Sequence, residues 1–194
     1  MNQKAEQKQK SREAIVASAA ALLRERGIKA SSVAEVMQGA GLTVGGFYGH
    51  FESKEQLFAE TIQATASTMW NRLLRSAKGS SRRERVVSVL STYLSRKHRD
   101  NAESGCPLPS AAPEAAREGE PYRSALAPEL AGFVRSLAGM MGDDPRHREK
   151  ALGLLALMYG ALSLSRAVRG TPLSDQFLTA AKKMGEQLLR DEHD

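Results

Sequence analysis

Between positions 41 and 51 the chain sets Gly41, Thr43, Val44, Gly46, Tyr48 and His50 among the apolar residues Leu42, Phe47 and Phe51. Those types suit non-covalent recognition of a polyanion better than bond making. Glycine accepts the positive φ of a sharp turn. A threonine hydroxyl at the start of a helix can cap it, and the first-turn amides beside it can bind phosphate. Val44 offers only an apolar contact, such as a thymine methyl would meet. Leu42, Phe47 and Phe51 are spaced to seat a short helix on its neighbours, which leaves Thr43, Val44, Gly46, Tyr48 and His50 toward the outer face. Tyr48 carries a phenol that wants a polar partner, whereas Phe51 reads as core.

Covalent chemistry has no comparable pattern. The histidines His50, His98, His147 and His193 are scattered, and no His-Glu-x-x-His helix, Gly-Lys-Ser/Thr loop or Gly-x-Ser-x-Gly elbow occurs. No catalytic residue, metal ligand or cofactor is therefore expected. One cysteine, Cys106, excludes an intramolecular disulfide framework and a zinc site built from several thiolates. Gly105 before it and Pro107 after it suggest a bend into a helix start, where a thiolate is favoured. Lys97, His98 and Arg99 precede it closely. Two readings stand side by side: a sensor of electrophiles or oxidants, and a small half-buried packing residue.

The elements that must position these residues read as helices throughout. The 194 residues allow one large domain or two small ones, and 41% hydrophobic with 26% charged residues supports a core, against wholesale disorder. Alternating Val/Ile/Thr-rich runs are missing. Ile15, Ala19, Leu22 and Leu23 mark one face of a helix over 11–26, stopped by Gly27. Ser32 and Glu35 form a capping box that opens a second helix, ended by Gly41. A very short third segment spans 42–51. A fourth helix runs from the Ser53–Gln56 box to about Lys78, and a fifth begins at the Ser81–Glu84 box. Residues 101–113, with Pro107, Pro109 and Pro113, read as irregular. Further helices are expected over 114–117, 121–141, 144–168 and 171–190, the last with Pro172 in its first turn. The total is about nine.

The N-terminal stretch to Arg12 carries Lys4, Lys8, Lys10 and Arg12 with no apolar run after them, so it is not a secretory signal and reads as a flexible basic arm. The most apolar run, 151–165, falls short of the ~20 residues a bilayer requires. An intracellular, cytoplasmic protein with no membrane partner is expected.

The first three helices, joined by tight glycine turns, form a helix-turn-helix candidate. The string from Ser32 through Gly41-Leu42-Thr43-Val44-Gly45-Gly46-Phe47-Tyr48-Gly49-His50-Phe51 to Ser53-Lys54-Glu55 and Leu57 resembles the signature of the TetR/AcrR family, over about the first third of the chain from Ile15. The resemblance implies an all-α homodimeric repressor, released from DNA by a small molecule in its C-terminal domain. It implies DNA contacts from Ser32, Thr43, Val44, Gly45, Gly46, Phe47, Tyr48, His50 and Lys54, with Val44 to Phe47 on the groove-facing helix and Thr43, Tyr48, His50 and Lys54 on phosphates. Ser18 and Leu23 stand where Ala and Phe are usual, and Gly46 replaces a common Thr or Ser. Gly46 cannot read a base through a side chain, so DNA shape and phosphate positioning carry more of the specificity. The expected division is residues 1–52 for DNA binding and 53–194 for ligand binding and dimerisation.

Net charge is +6, yet residues 72–99 hold nine basic side chains against Glu84 alone. This excess either steers DNA or is the solvated face of a helix. A ligand cavity is expected among Met69, Trp70, Leu90, Tyr93, Cys106, Tyr122 and Phe133. The resemblance makes the stripe through Leu154, Met158, Leu162, Phe177, Ala181 and Met184 the dimer interface, and packing within one chain is the other reading. The partners expected are double-stranded DNA with a palindromic operator, a small-molecule inducer and a second copy of the chain. An architectural binder with no sequence preference is the alternative.

Overall fold

In a computed structural model, which describes residues 3–190, every regular element is helical: α1 (Gln3–Arg26), α2 (Val33–Gly39), α3 (Lys54–Arg75), α4 (Arg82–Tyr93), α5 (Arg96–Asp100), α6 (Leu108–Glu118), α7 (Tyr122–Met141), α8 (Arg146–Ala167) and α9 (Pro172–Leu188). Two 3-10 segments, Val44–Gly49 and Ala102–Ser104, complete the set. No strand occurs among the described residues, and none of their helices is long and apolar enough to cross a membrane. His193 lies outside the described residues.

The chain packs as two units. One takes the residues up to Ser67 with Cys106–Glu129, the other takes Thr68–Gly105 with the residues from Leu130 on. In the first, α1 buries Ile15, Ala19 and Leu23 and α2 buries Val36 and Met37. The two helices meet at Gly39, where an added Cβ would collide with the Ser18 hydroxyl. Gly27, at φ +84°, ends α1 through its amide bond to the Leu23 carbonyl (3.1 Å), a left-handed helix cap. Helix α6 lies on α1 and buries Leu108, Ala111 and Ala115. From it the buried Glu114 carboxylate reaches the α1–α2 turn and accepts the amides of Ile28 and Lys29 (the latter at 2.9 Å).

In the second unit, Trp70 lies between Tyr93 and Phe133, at centroid distances of 6.2 and 4.2 Å. Helices α8 and α9 are pinned by Ser165 and Ser174, whose hydroxyls each donate to the other residue's carbonyl, at 2.8 and 2.7 Å. Gly185 on α9 makes room for Leu90 and Leu154.

The structure departs from the sequence reading in four places. α1 begins at Gln3, so the basic arm is helical: Gln, Lys, Glu and Ala are strong helix formers, and Gln9 donates to Glu13 one turn on (2.8 Å). α6 starts at Leu108 and absorbs Pro113, because burial of Leu108 and Ala111 outweighs one missing amide. α3 stops at Arg75 rather than near Lys78, and the short α5 was not foreseen.

Candidate nucleic-acid interface

Within the first unit, local chemistry sets out residues 32–54. Ser32 caps α2 by accepting the Glu35 amide (3.2 Å), while Glu35 accepts the Ser32 amide (2.9 Å) and hydroxyl (2.7 Å). These bonds, with the Arg26 guanidinium 3.0 Å from Glu35, hold the Glu35 carboxyl below the usual glutamate range. The Ser32 hydroxyl is therefore already engaged in the cap. α2 closes with the amide of Leu42 on the Met37 carbonyl (2.9 Å) and that of Gly41 on the Gln38 carbonyl (3.0 Å). This is a Schellman ending that needs the left-handed φ of +69° at Gly41.

The segment that follows is a single stretch of 3-10 helix, Val44–Gly49, rather than an α-helix. Phe47 and Phe51 anchor it. They are 0% and 2% exposed, with rings 5.9 Å apart, and the Phe47 carbonyl accepts the amides of His50 (2.9 Å) and Phe51 (3.0 Å). Arg12 lies 4.6 Å over the Phe51 ring and is paired with Glu60. Phe47, in the expected DNA-contact set, is thus a support rather than a contact. Thr43 stands at the N-cap position without a side-chain cap bond, contrary to expectation, so its exposed hydroxyl stays out of the helix start.

Burying two rings on one side of so short a segment forces its other residues outward. Thr43, Gly45 and Gly46 are exposed, Val44 is 50% and Tyr48 76% exposed. His50 is half-buried, and its Nδ1 has no hydrogen-bond partner among the described residues. Lys54 is half-buried with its ammonium 5.8 Å from the Phe58 ring. An exposed valine and tyrosine beside glycines and a hydroxyl form a surface of mixed apolar and hydrogen-bonding character.

The family model for bacterial regulatory proteins of the tetR family matches residues 15–61, the stretch that builds this surface. An uncharacterised HTH-type transcriptional regulator of Mycobacterium tuberculosis is 28% identical over 176 residues, covering 84% of this chain and 88% of its own. A TetR transcriptional regulator from Chloroflexus aurantiacus superposes with a TM-score of 0.80 at 23% identity, covering 96% and 98% of the two chains. The chain belongs to the TetR/AcrR family. Within the reading head, the HTH-type transcriptional repressor KstR2 of M. tuberculosis is 42% identical over 45 residues, 23% of this chain and 22% of its own. As a TetR-family protein with helix-turn-helix relatives throughout, the chain is a regulator of transcription.

In the second unit of this TetR-family chain a cavity of about 510 Å³ is lined by Met69, Leu73 and Tyr93 on its apolar side and by Arg72, Lys97 and His98 on its polar side. Of the expected pocket residues only Met69 and Tyr93 line it. Trp70, Leu90 and Phe133 are core, while Cys106 and Tyr122 are buried and belong to the first unit. His98 bonds through Nδ1 to the Tyr93 carbonyl (2.7 Å). Its pKa is lowered by burial first, then by the cations Arg166 and Arg72.

Of the expected dimer residues, Leu154, Met158, Leu162 and Ala181 are buried inside the chain, Phe177 is half-buried and Met184 is 53% exposed. The large apolar residues left outward on α8 and α9 are Leu152, Leu164, Leu173, Met184 and Leu188. Periodicity found the stripe but could not say which of its edges the chain itself would cover. Glu114 carried no sequence signal at all, since its partners lie more than eighty positions away.

Proposed function

We propose that the chain is a homodimeric repressor that inserts residues 43–48 into DNA grooves and leaves a palindromic operator when a small molecule occupies the second unit. The observation that carries this reading is the exposed edge of Thr43, Val44, Gly46 and Tyr48, held outward by the buried Phe47 and Phe51. Val44 meets a thymine methyl, and Thr43, Tyr48, His50 and Lys54 meet phosphates. Residues 1–52 serve DNA binding and 53–194 serve ligand binding and dimerisation. The outward Leu152 and Leu164 of α8 with Leu173, Met184 and Leu188 of α9 supply the apolar face of a two-fold contact, which sets two reading heads about one helical turn of DNA (~34 Å) apart.

Selection of bound genomic fragments, followed by a mobility-shift series across salt, tests the reading. One inverted repeat is expected to emerge. Tyr48→Ala should weaken binding to it while leaving thermal stability near wild type, because the side chain is outside the core. Equal binding to all fragments would establish the architectural alternative instead. Release of DNA by quinones or aldehydes that disappears in Cys106→Ser would add electrophile sensing at this buried thiol. Unchanged release in that variant leaves Cys106 a packing residue.

A further inference from the structure

The cavity of the second unit presents a particular chemistry. Its floor is apolar, with Met69, Leu73 and Tyr93 all buried. Its polar lining includes Ser76, Ser95 and Asn101, and no carboxylate belongs to it. Two cations do, Arg72 and Lys97.

Of the acidic side chains nearby, Asp175 and Asp100 are already engaged, and the exposed Glu103, between Asn101 and Ser104, is outside the lining. Asp175 takes both Arg96 (2.7 Å) and Arg99 (2.6 Å), and Asp100 takes Arg99 (2.8 Å). Among the described residues, no carboxylate lies within ion-pair reach of Arg72 or Lys97. The Arg72 guanidinium is steered by a neutral acceptor, the Ser104 carbonyl at 2.7 Å. That bond orients the fork and leaves its charge uncompensated. His98 lines the same wall; burial lowers its pKa first, and the cations Arg166 and Arg72 lower it further. A cavity of about 510 Å³ takes a molecule of a few hundred daltons.

We propose that this cavity is an organic-anion site, whose occupant sets one carboxylate, sulfonate or phosphate against Arg72 and Lys97 and lays an apolar body over Met69, Leu73 and Tyr93. The inducer role of that occupant rests on the repressor reading above, but the anion site itself does not. A guanidinium fork and a mobile ammonium facing one cavity suit a bidentate acceptor with spread charge. A neutral ligand of the same shape would forgo both charge-assisted contacts.

The test uses the full chain and two fluorescent probes of one skeleton, 8-anilinonaphthalene-1-sulfonate and the uncharged N-phenyl-1-naphthylamine. Wild type should bind the sulfonate saturably. Arg72→Gln with Lys97→Gln should weaken that binding about tenfold or more, roughly one charge-assisted contact at 1.4 kcal/mol per decade, and leave the neutral probe unchanged. Both side chains are exposed, so the fold is expected to survive, and matching thermal melts check it. Arg83→Gln removes one positive charge outside this cavity and should leave both probes as they were. Sulfonate binding that is unaltered in the double variant, or equally weakened by Arg83→Gln, overturns the proposal. So does absence of saturable binding. Loss of sulfonate binding in a double variant whose DNA is still released normally by its inducer supports the anion site and removes the inducer role from it.

Discussion

Glu114 should be the side chain that ties α6 to the reading head, and Glu114→Gln measures the tie. The carboxylate is 7% exposed and accepts two amides, of Ile28 and Lys29, that stand just past the end of α1 and have no helical acceptor. Gly27 permits this approach, since a Cβ there would lie 2.8 Å from the carboxylate. Glutamine keeps one acceptor oxygen but turns an NH2 group toward the second amide, donor against donor. Hydrogen bonds to a charged group contribute about 1.5–3 kcal/mol each, and an amide left buried without a partner costs a similar amount. Losing one of the two should therefore destabilise the first unit by about 2–3 kcal/mol. At roughly 2–4 °C per kcal/mol for a chain of this size, the melting temperature should fall by about 4–12 °C. Glu114→Ala, which orphans both amides, should fall further. Operator affinity should drop with it, because the α1–α2 turn sets the position of α2 and hence of residues 41–51. Thermal melts followed by circular dichroism, paired with mobility shifts, provide the readout. A Glu114→Gln protein within about 0.5 kcal/mol of wild type would refute the reasoning.

Two further outcomes follow from packing and titration. Gly39→Ala sets the roughly 1 kcal/mol that alanine gains over glycine in a helix against a collision with the Ser18 hydroxyl, so it should be clearly more stabilising in a Ser18→Ala background than in wild type, as a double-mutant cycle in urea would show. The Tyr122 phenol is pushed up to about 12 by burial, helped by Glu55, Glu114 and Glu118. Because an unfolded tyrosine ionises near 10, the folded chain holds this proton longer. Its contribution to stability is thus present below pH 10 and is lost as pH rises toward 12. Alkaline titration at 295 nm should show a late phenol step that is missing in Tyr122→Phe.

Much of the reading head was legible because it is built from local chemistry. The Ser32–Glu35 and Ser81–Glu84 boxes, the turn at Gly41 and Pro172 at the start of α9 each involve partners within a few residues, where spacing alone constrains geometry. What escaped the sequence depends on distant partners or on competition between weak preferences. The helix over Gln3–Lys10 has no apolar face to announce it, only good helix formers. The prolines at 107, 109 and 113 signalled a break, yet three of the first residues of α6 gain burial or lose nothing by lacking an amide. At Thr43 the expected cap failed because the segment that follows coils as a 3-10 helix, whose tighter turn does not bring an amide to the hydroxyl. The Leu154–Leu162 stripe is apolar whether α9 or another copy of the chain covers it, and only the packing of α9 shows that these residues are already inside.

The chain contains one indole, and it sits between Tyr93 and Phe133 with its Nε1 buried and lacking a hydrogen-bond partner among the described residues. Such an environment should give short-wavelength emission. Fluorescence will accordingly watch the second unit alone and stay blind to the helix-turn-helix. Ellipticity, by contrast, averages over both. Overlaying the two melting curves would reveal in an afternoon whether the two units come apart together or in sequence.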